Sequence, residues 1–176
     1  MPFRIGFVLF PRLTQLDLTG PYEILSRTRD AETLPVAKTL DPVRVDRGLS
    51  IVPTATFADC PPLDLVCVPG GIGVNDVLGD AEILDFLRKT SAHARYVTSV
   101  CTGSLALGAA GLLRGLRAAC HWLSRESLRK FGAEPTDERV TVDGNIVTAA
   151  GSRPGSISPC GSSRRCAASR PPRRSS

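Results

Sequence analysis

The sequence has few features of a membrane protein, a metalloprotein or a secreted protein. Its longest apolar runs, such as Ile5–Phe10 and Leu65–Pro69, fall far short of the roughly 20 residues that a membrane-spanning helix needs. Its two histidines, His93 and His121, lie in no cluster of Cys, Asp or Glu, so we expect no metal. No long apolar segment follows Met1, and we therefore expect a cytoplasmic protein with no membrane partner.

Disulfides and nucleic-acid binding are also poorly supported. The six cysteines form no Cys-x-x-Cys pair, and without a secretion signal we expect free thiols. The net charge of +5 is concentrated in residues 152–176, which hold six arginines and no acidic residue. Residues 1–151 carry 16 basic and 17 acidic residues, so this part of the chain lacks the polycationic character of a nucleic-acid-binding protein.

Apolar runs alternate with amphipathic stretches between residues 4 and 151. The predicted strands are Arg4–Phe10, Val36–Val45, Leu49–Val52, Leu63–Val68 and Tyr96–Val100, with a hairpin over Val140–Val147 around Asp143-Gly144. The predicted helices are Asp17–Thr28, Ala81–Ala92 and Ser104–Ala110. This alternation predicts an α/β fold with a mostly parallel central sheet.

The strongest candidate for a catalytic residue is Cys101, where a predicted strand runs directly into a small-residue helix. A nucleophile at such a corner, followed by a glycine, is the nucleophile-elbow arrangement. The helix N-terminus would lower the pKa of the thiol, and the N–H of Thr102 would stabilise charge on a bound substrate. The alternative is that Cys101 is a small buried core residue.

Other strand ends supply further candidates. Gly70, Gly71 and Ile72 follow a predicted strand, where ligands of open α/β sheets bind, and glycines there would expose backbone N–H groups to a substrate. The alternative is a plain turn. Asp17 follows the first strand and is either a helix N-cap or an acid/base group that faces Cys101. His121 could pair with Cys101, but a histidine beside a tryptophan is more often structural than catalytic.

Several segments, taken together, resemble the isonitrile hydratases of the ThiJ/PfpI family. They are Ile5–Pro11, Thr14–Pro21, Phe57–Asp64, Val68–Gly71, Arg95–Leu105, Leu107–Leu113, His121-Trp122 and Gly144-Asn145. The resemblance covers about residues 4–151. It implies a flavodoxin-like sandwich and a homodimer that adds water to a small-molecule isonitrile to give an N-substituted formamide, with no cofactor or metal.

The resemblance also implies roles for particular residues. Cys101 is the nucleophile, Asp17 is its acid/base partner, and Thr102 lines the site. Two alternatives stay open. The first is the ligand-binding domain of a truncated AraC-type transcriptional regulator, which carries a similar domain ahead of a helix-turn-helix. The second is a PfpI-type cysteine hydrolase or glyoxalase, which Thr102 disfavours because those relatives carry histidine at that position.

Residues 152–176 differ in composition from the rest of the chain. They are dominated by Ser, Arg and Pro, and show no periodicity, so we expect an irregular tail. Re-reading residues 155–164 out of phase permits Ile-Asp-Phe-Ala-Leu, an apolar helix start, so we expect an out-of-frame tail in place of C-terminal helices. Stability and activity would then be low. The alternative is a natural basic tail that binds an anionic partner, and resequencing the gene distinguishes the two.

Overall fold

The strands of the central sheet form where the sequence has its apolar runs. The computed structural model describes residues 2–151, so the expectations for residues 152–176 lie outside the described residues. The strands are β1 (Phe3–Val8), β2 (Ala31–Ala37), β3 (Val43–Arg44), β4 (Ser50–Ile51), β5 (Ala55–Thr56), β6 (Leu65–Val68), β7 (Tyr96–Val100), β8 (Arg117–Ala118), β9 (Glu134–Pro135), β10 (Val140–Asp143) and β11 (Ile146–Ala149). The helices are α1 (Gln15–Leu25), α2 (Val74–Val77), α3 (Ala81–Ser91) and α4 (Gly103–Ala109), with 3₁₀ turns at Asp46–Gly48 and Arg125–Phe131.

The main sheet has seven strands in the order β10-β11-β7-β6-β1-β2-β5. Every neighbouring pair is parallel except the β10–β11 hairpin. From β1 the chain crosses first to β2 on one side, and only later to β6 on the other side. The carboxyl ends of β1 and β6 therefore flank the topological switch point, where open α/β sheets bind ligands. The predicted flavodoxin-like α/β fold with a mostly parallel sheet is confirmed.

Burial of the strands and of one face of α3 forms the core. In β1 and β6 the side chains of Phe7, Val8, Val66 and Val68 are fully buried, as expected for strands covered on both faces. Helix α3 buries an apolar stripe made of Ile83, Leu84, Phe86 and Leu87. Among residues 2–151, no helix combines the length and the apolar character needed to cross a membrane.

Two predicted boundaries are wrong, and proline is involved in both. Helix α1 begins at Gln15, so Pro21 lies in its interior, where it cannot donate a hydrogen bond to the carbonyl of Asp17. The single strand predicted at Val36–Val45 is instead the end of β2 (Ala31–Ala37), with Pro35 inside β2, and the separate short strand β3 (Val43–Arg44). Strand β5 pairs only with Val36 and Ala37, so β2 is close to the sheet edge, where proline is tolerated.

The contact between β6 and α4 yields a test of the packing. At Gly103, a Cβ atom would lie 2.2 Å from the carbonyl oxygen of Val68 and 2.7 Å from that of Pro69. Backbone atoms cannot rotate away, so we expect Gly103→Ala to lower the free energy of unfolding by about 3 kcal/mol. Urea denaturation measures this change. In the control, Gly79→Ala, the new Cβ meets nothing closer than 4.0 Å. Equal denaturation midpoints for the two variants would contradict the packing.

Candidate active site

Three segments that follow neighbouring parallel strands meet at one edge of the sheet. Helix α1 after β1 carries Asp17, the loop after β6 contains Gly70 and Gly71, and the turn after β7 contains Cys101. A Cβ atom built on Gly70 would lie 2.6 Å from the Cβ of Cys101 and 2.8 Å from Oδ2 of Asp17. The structure thus brings the predicted candidates together, and only a glycine fits between them.

Cys101 occupies a backbone conformation that side-chain-bearing residues rarely adopt. Its φ angle is +58°, in the left-handed region. Its N–H donates to the carbonyl of Ala149 at 2.8 Å, and its own carbonyl accepts from the N–H of His121 and the hydroxyl of Ser104, both at 3.2 Å. These bonds hold the strained turn, which is the sharp strand-to-helix corner predicted from the sequence.

Asp17 is not a helix cap. The N-cap of α1 is Thr14, and Asp17 lies in the first turn with its side chain only 5% exposed. Its Oδ2 atom is buried and has no hydrogen-bond partner among the described residues. A buried carboxyl oxygen without a partner destabilises the fold, so the capping interpretation gives no reason for Asp17 to be there.

Burial controls the ionisation of both groups. It raises the pKa of the Asp17 carboxyl, and the Cys101 thiol only partly offsets this. Burial raises the pKa of the Cys101 thiol to about 12, and the negative charge of Asp17 is the second largest cause of this rise. The lowered pKa expected from a helix N-terminus is therefore wrong, because α4 has only seven residues and Cys101 lies buried beside a carboxyl group. The N–H of Thr102 lowers the pKa of Cys101, but burial and the charge of Asp17 outweigh it and favour the protonated thiol.

Thr102 fixes the loop that follows β6. Its hydroxyl accepts from the N–H of Gly71 at 2.9 Å and lies 3.2 Å from the carbonyl of the same residue. The carbonyl of Gly70 accepts from the N–H of Thr14 at 2.8 Å, which ties this loop to α1. Within residues 2–151, the N–H groups of Ile72 and Thr102 donate to no backbone carbonyl. The N–H of Thr102 faces the sulfur of Cys101, and that of Ile72 is at the cavity lining.

A cavity of about 350 Å³ opens above Cys101. Its lining residues are Gly71, Ile72, Val74, Asn75, Cys101, Thr102, Leu105, His121, Leu123 and Ser124. Asp17 and Gly70 are not among them and contact Cys101 from the buried side. Larger cavities include one of about 470 Å³ at the ends of β1 and β2 and one of about 520 Å³ that Cys60 and His93 line. Cys101 lines neither of these, so the cavity above Cys101 is the candidate active site.

His121 lines the cavity, although a histidine beside a tryptophan was interpreted from the sequence as more often structural. Its Nδ1 accepts from the N–H of Leu123 at 3.4 Å. It lies 20 positions after Cys101, and only the fold brings the two together, so spacing gave no reason to prefer the functional interpretation. Among the described residues, no group of His, Cys, Asp and Glu could hold a metal ion.

A family model described as the DJ-1/PfpI family matches residues 3–156. The chain belongs to the DJ-1/PfpI family. It is 54% identical over 151 residues to isonitrile hydratase of Pseudomonas putida, an alignment that covers 86% of this chain and 66% of that protein. It is 30% identical over 158 residues to the HTH-type transcriptional regulator GbdR of Pseudomonas aeruginosa, covering 85% of this chain and 43% of the regulator.

A solved structure agrees with the same DJ-1/PfpI assignment. The crystal structure of a ThiJ/PfpI family protein from Pseudomonas syringae matches with a TM-score of 0.83 at 47% sequence identity. The match covers 86% of this chain and 63% of that chain. This chain thus spans slightly under two thirds of both the Pseudomonas putida hydratase and the Pseudomonas syringae protein.

The buried carboxyl group generates a prediction with two readouts. Asp17→Asn removes the negative charge beside Cys101, so the pH midpoint of alkylation of Cys101 by iodoacetamide should move to lower pH. A carboxyl group with a raised pKa in the folded state stabilises the fold at low pH, and this contribution is lost as the pH rises through that pKa. Asp17→Asn should therefore raise the melting temperature at pH 7 by a few degrees, and by less at pH 4.

The matched control is Asp85→Asn, since the Asp85 side chain is 57% exposed on α3. Asp85→Asn should leave the pH midpoint of Cys101 alkylation unchanged. It should also leave unchanged the difference between the melting temperatures at pH 7 and pH 4. If Asp17→Asn instead melts lower at pH 7 and leaves the alkylation midpoint unchanged, Asp17 stabilises α1 and does not act on Cys101.

Proposed function

We propose that this protein hydrates isonitriles to N-substituted formamides, with Cys101 as the nucleophile and Asp17 as the group that moves the proton. The observation that supports this most is the buried pair itself. A buried thiol lies beside a carboxyl group whose Oδ2 has no partner among the described residues, beneath a cavity with aliphatic walls. Such a pair can accept and return one proton without solvent.

In the first step the S–H bond of Cys101 adds across the terminal carbon of the isonitrile. The thiol proton passes to Asp17 as the sulfur attacks the carbon, and Asp17 then delivers the proton to the same carbon. A C–S bond and a C–H bond form, and the product is a thioimidate, R–N=CH–S–Cys. Burial makes the Asp17 carboxylate a stronger base than an exposed one, which suits it to accept a thiol proton.

In the second step water adds to the thioimidate carbon, and one of its protons goes to the nitrogen. The C–S bond then breaks, the hydroxyl proton returns through Asp17 to the sulfur of Cys101, and R–NH–CHO leaves. The net reaction consumes one isonitrile and one water. No electrons are gained or lost, so the hydration needs no redox cofactor.

The backbone around Cys101 supplies the remaining roles. Thr102 holds Gly71 in place and directs its own N–H at the Cys101 sulfur, while the N–H of Ile72 is the one that would stabilise charge on the substrate nitrogen. Gly70 lets the loop approach the pair closely. Similarity to the hydratase of Pseudomonas putida further supports the proposal.

The family resemblance also predicts a homodimer, and exposed apolar side chains favour one. Leu16 and Ile24 on α1 are 53% and 72% exposed, and Leu49 and Val52 near the β3–β4 hairpin are 50% and 62% exposed. Exposed aliphatic residues of this size favour self-association when they lie on adjoining elements. Sedimentation equilibrium measures the oligomeric state directly.

A second candidate function is ligand sensing without chemistry, which the similarity to the regulator GbdR favours. In that case the cavity would bind a ligand reversibly, and Cys101 would not turn it over. The two functions differ in one observable, the release of a formamide.

The test is an assay with phenyl isocyanide. The wild-type protein should release formanilide and, when quenched early, should carry one isonitrile mass on the peptide that contains Cys101. Cys101→Ser should lower the rate about a thousandfold or more, because the serine hydroxyl is a far weaker nucleophile. The control is Cys60→Ser, since Cys60 lies away from the cavity and should be dispensable.

Formanilide release that persists in Cys101→Ser would disprove the nucleophilic role. Reversible binding of the isonitrile with no product would instead favour the sensing function.

A further inference from the structure

A second hollow lies directly beside the catalytic cavity. It has a volume of about 490 Å³ and is lined by Arg12, Thr14, Arg44, Val45, Asp46, Arg47, Gly48 and Ile72. We call it the arginine cleft. Ile72 lines both hollows, so the catalytic cavity and the arginine cleft adjoin at this residue.

The charges of the arginine cleft are not balanced. Arg12 forms an ion pair with Asp76, but Arg44 and Arg47 have no carboxylate within 4.0 Å among the described residues. Asp46, the one acidic residue in the lining, accepts the backbone N–H of Gln15 at 3.0 Å through Oδ1. Since residues 1–151 carry slightly more acidic than basic residues, two unpaired arginines in one hollow are a local departure from the chain's charge pattern.

The backbone that carries these arginines is fixed. The N–H of Arg12 donates to the carbonyl of Arg44 at 3.0 Å, and the N–H of Asp46 donates to the carbonyl of Leu13 at 2.9 Å. Arg47, inside the 3₁₀ turn, has a φ angle of +56°, which is unusual for a residue with a long side chain. These hydrogen bonds join the segment that carries Arg44 and Arg47 to the loop that follows β1.

We propose that Arg44 and Arg47 bind a carboxylate on the substrate, so that this protein acts on isonitriles with a negatively charged substituent. The proposal rests on the proposed hydration. A guanidinium group donates two parallel hydrogen bonds to a carboxylate, which gives orientation as well as attraction. The aliphatic walls at Ile72, Val74 and Leu105 accommodate the hydrocarbon between the isonitrile and the carboxylate.

The test compares 4-isocyanobenzoate with its methyl ester, which lacks the negative charge and carries one extra methyl group. Both are assayed with the wild-type protein and with the double variant Arg44→Gln/Arg47→Gln. We expect the double variant to raise KM for the acid roughly tenfold and to leave kcat nearly unchanged. The effect on KM is modest because both arginines are exposed, and solvent weakens their attraction for a carboxylate. KM for the ester should not change. Added salt should raise KM for the acid in the wild-type protein and much less in the double variant.

The control is Arg29→Gln, since the Arg29 side chain is 96% exposed and lies outside the arginine cleft. It should leave KM for both isonitriles unchanged. A double variant that keeps the wild-type KM for the acid would overturn the proposal while leaving the hydration intact. So would an equal rise in KM for acid and ester.

A binding measurement separates the proposal from the activity. Titration calorimetry with 4-formamidobenzoate, the product of the acid, requires no turnover. We expect roughly tenfold weaker binding by the double variant, and no such loss for the methyl ester of the product. Weaker binding by the double variant would support the arginine cleft even if neither isonitrile were hydrated. A failure of hydration alone would refute only the proposed function. Equal affinity of both proteins for the acid, or no binding of it, would overturn the proposal.

Discussion

The left-handed backbone at Cys101 is the constraint on which the rest of the site depends. A sharp turn between β7 and α4 is possible only if neighbouring chain segments approach the cysteine closely. Gly70 and Gly151 meet this need, because a Cβ atom on either would come within 2.6 Å of the Cβ of Cys101. Hydrogen bonds from Cys101 to Ala149, and from His121 and Ser104 to Cys101, offset the strain. The buried parallel strands on either side keep these partners in register.

The same close approach leaves a carboxyl group and a thiol together away from water. Neither is in its preferred environment, since burial disfavours the charged form of each. The fold therefore bears a loss of stability at Asp17 that a neutral residue would avoid. The proposed proton transfer between the two groups would account for this loss, since stability is often reduced at sites built for reactivity.

Much of this structure could be predicted from the sequence, because strands and sharp turns have local causes. Apolar runs predicted β1, β6 and β7, and the Cys101-Thr102-Gly103 junction predicted the corner. The ionisation of Cys101 was predicted in the wrong direction, since a local helix-terminus argument omits burial and the charge of Asp17. His121 was interpreted as structural for a related reason. Its proximity to Cys101 is created by tertiary folding and has no counterpart in sequence spacing.

Residues at the strand ends and residues on the surface loops differ in how strongly they are held by the core. Cys101, Asp17 and Gly70 pack against the core, so a change at any of them disturbs several neighbours at once. Arg44 and Arg47, by contrast, lie on an exposed hairpin that is tied down by a few backbone hydrogen bonds, and their side chains contribute little to the core. Substitutions on such loops alter what is recognised without altering the chemistry beneath.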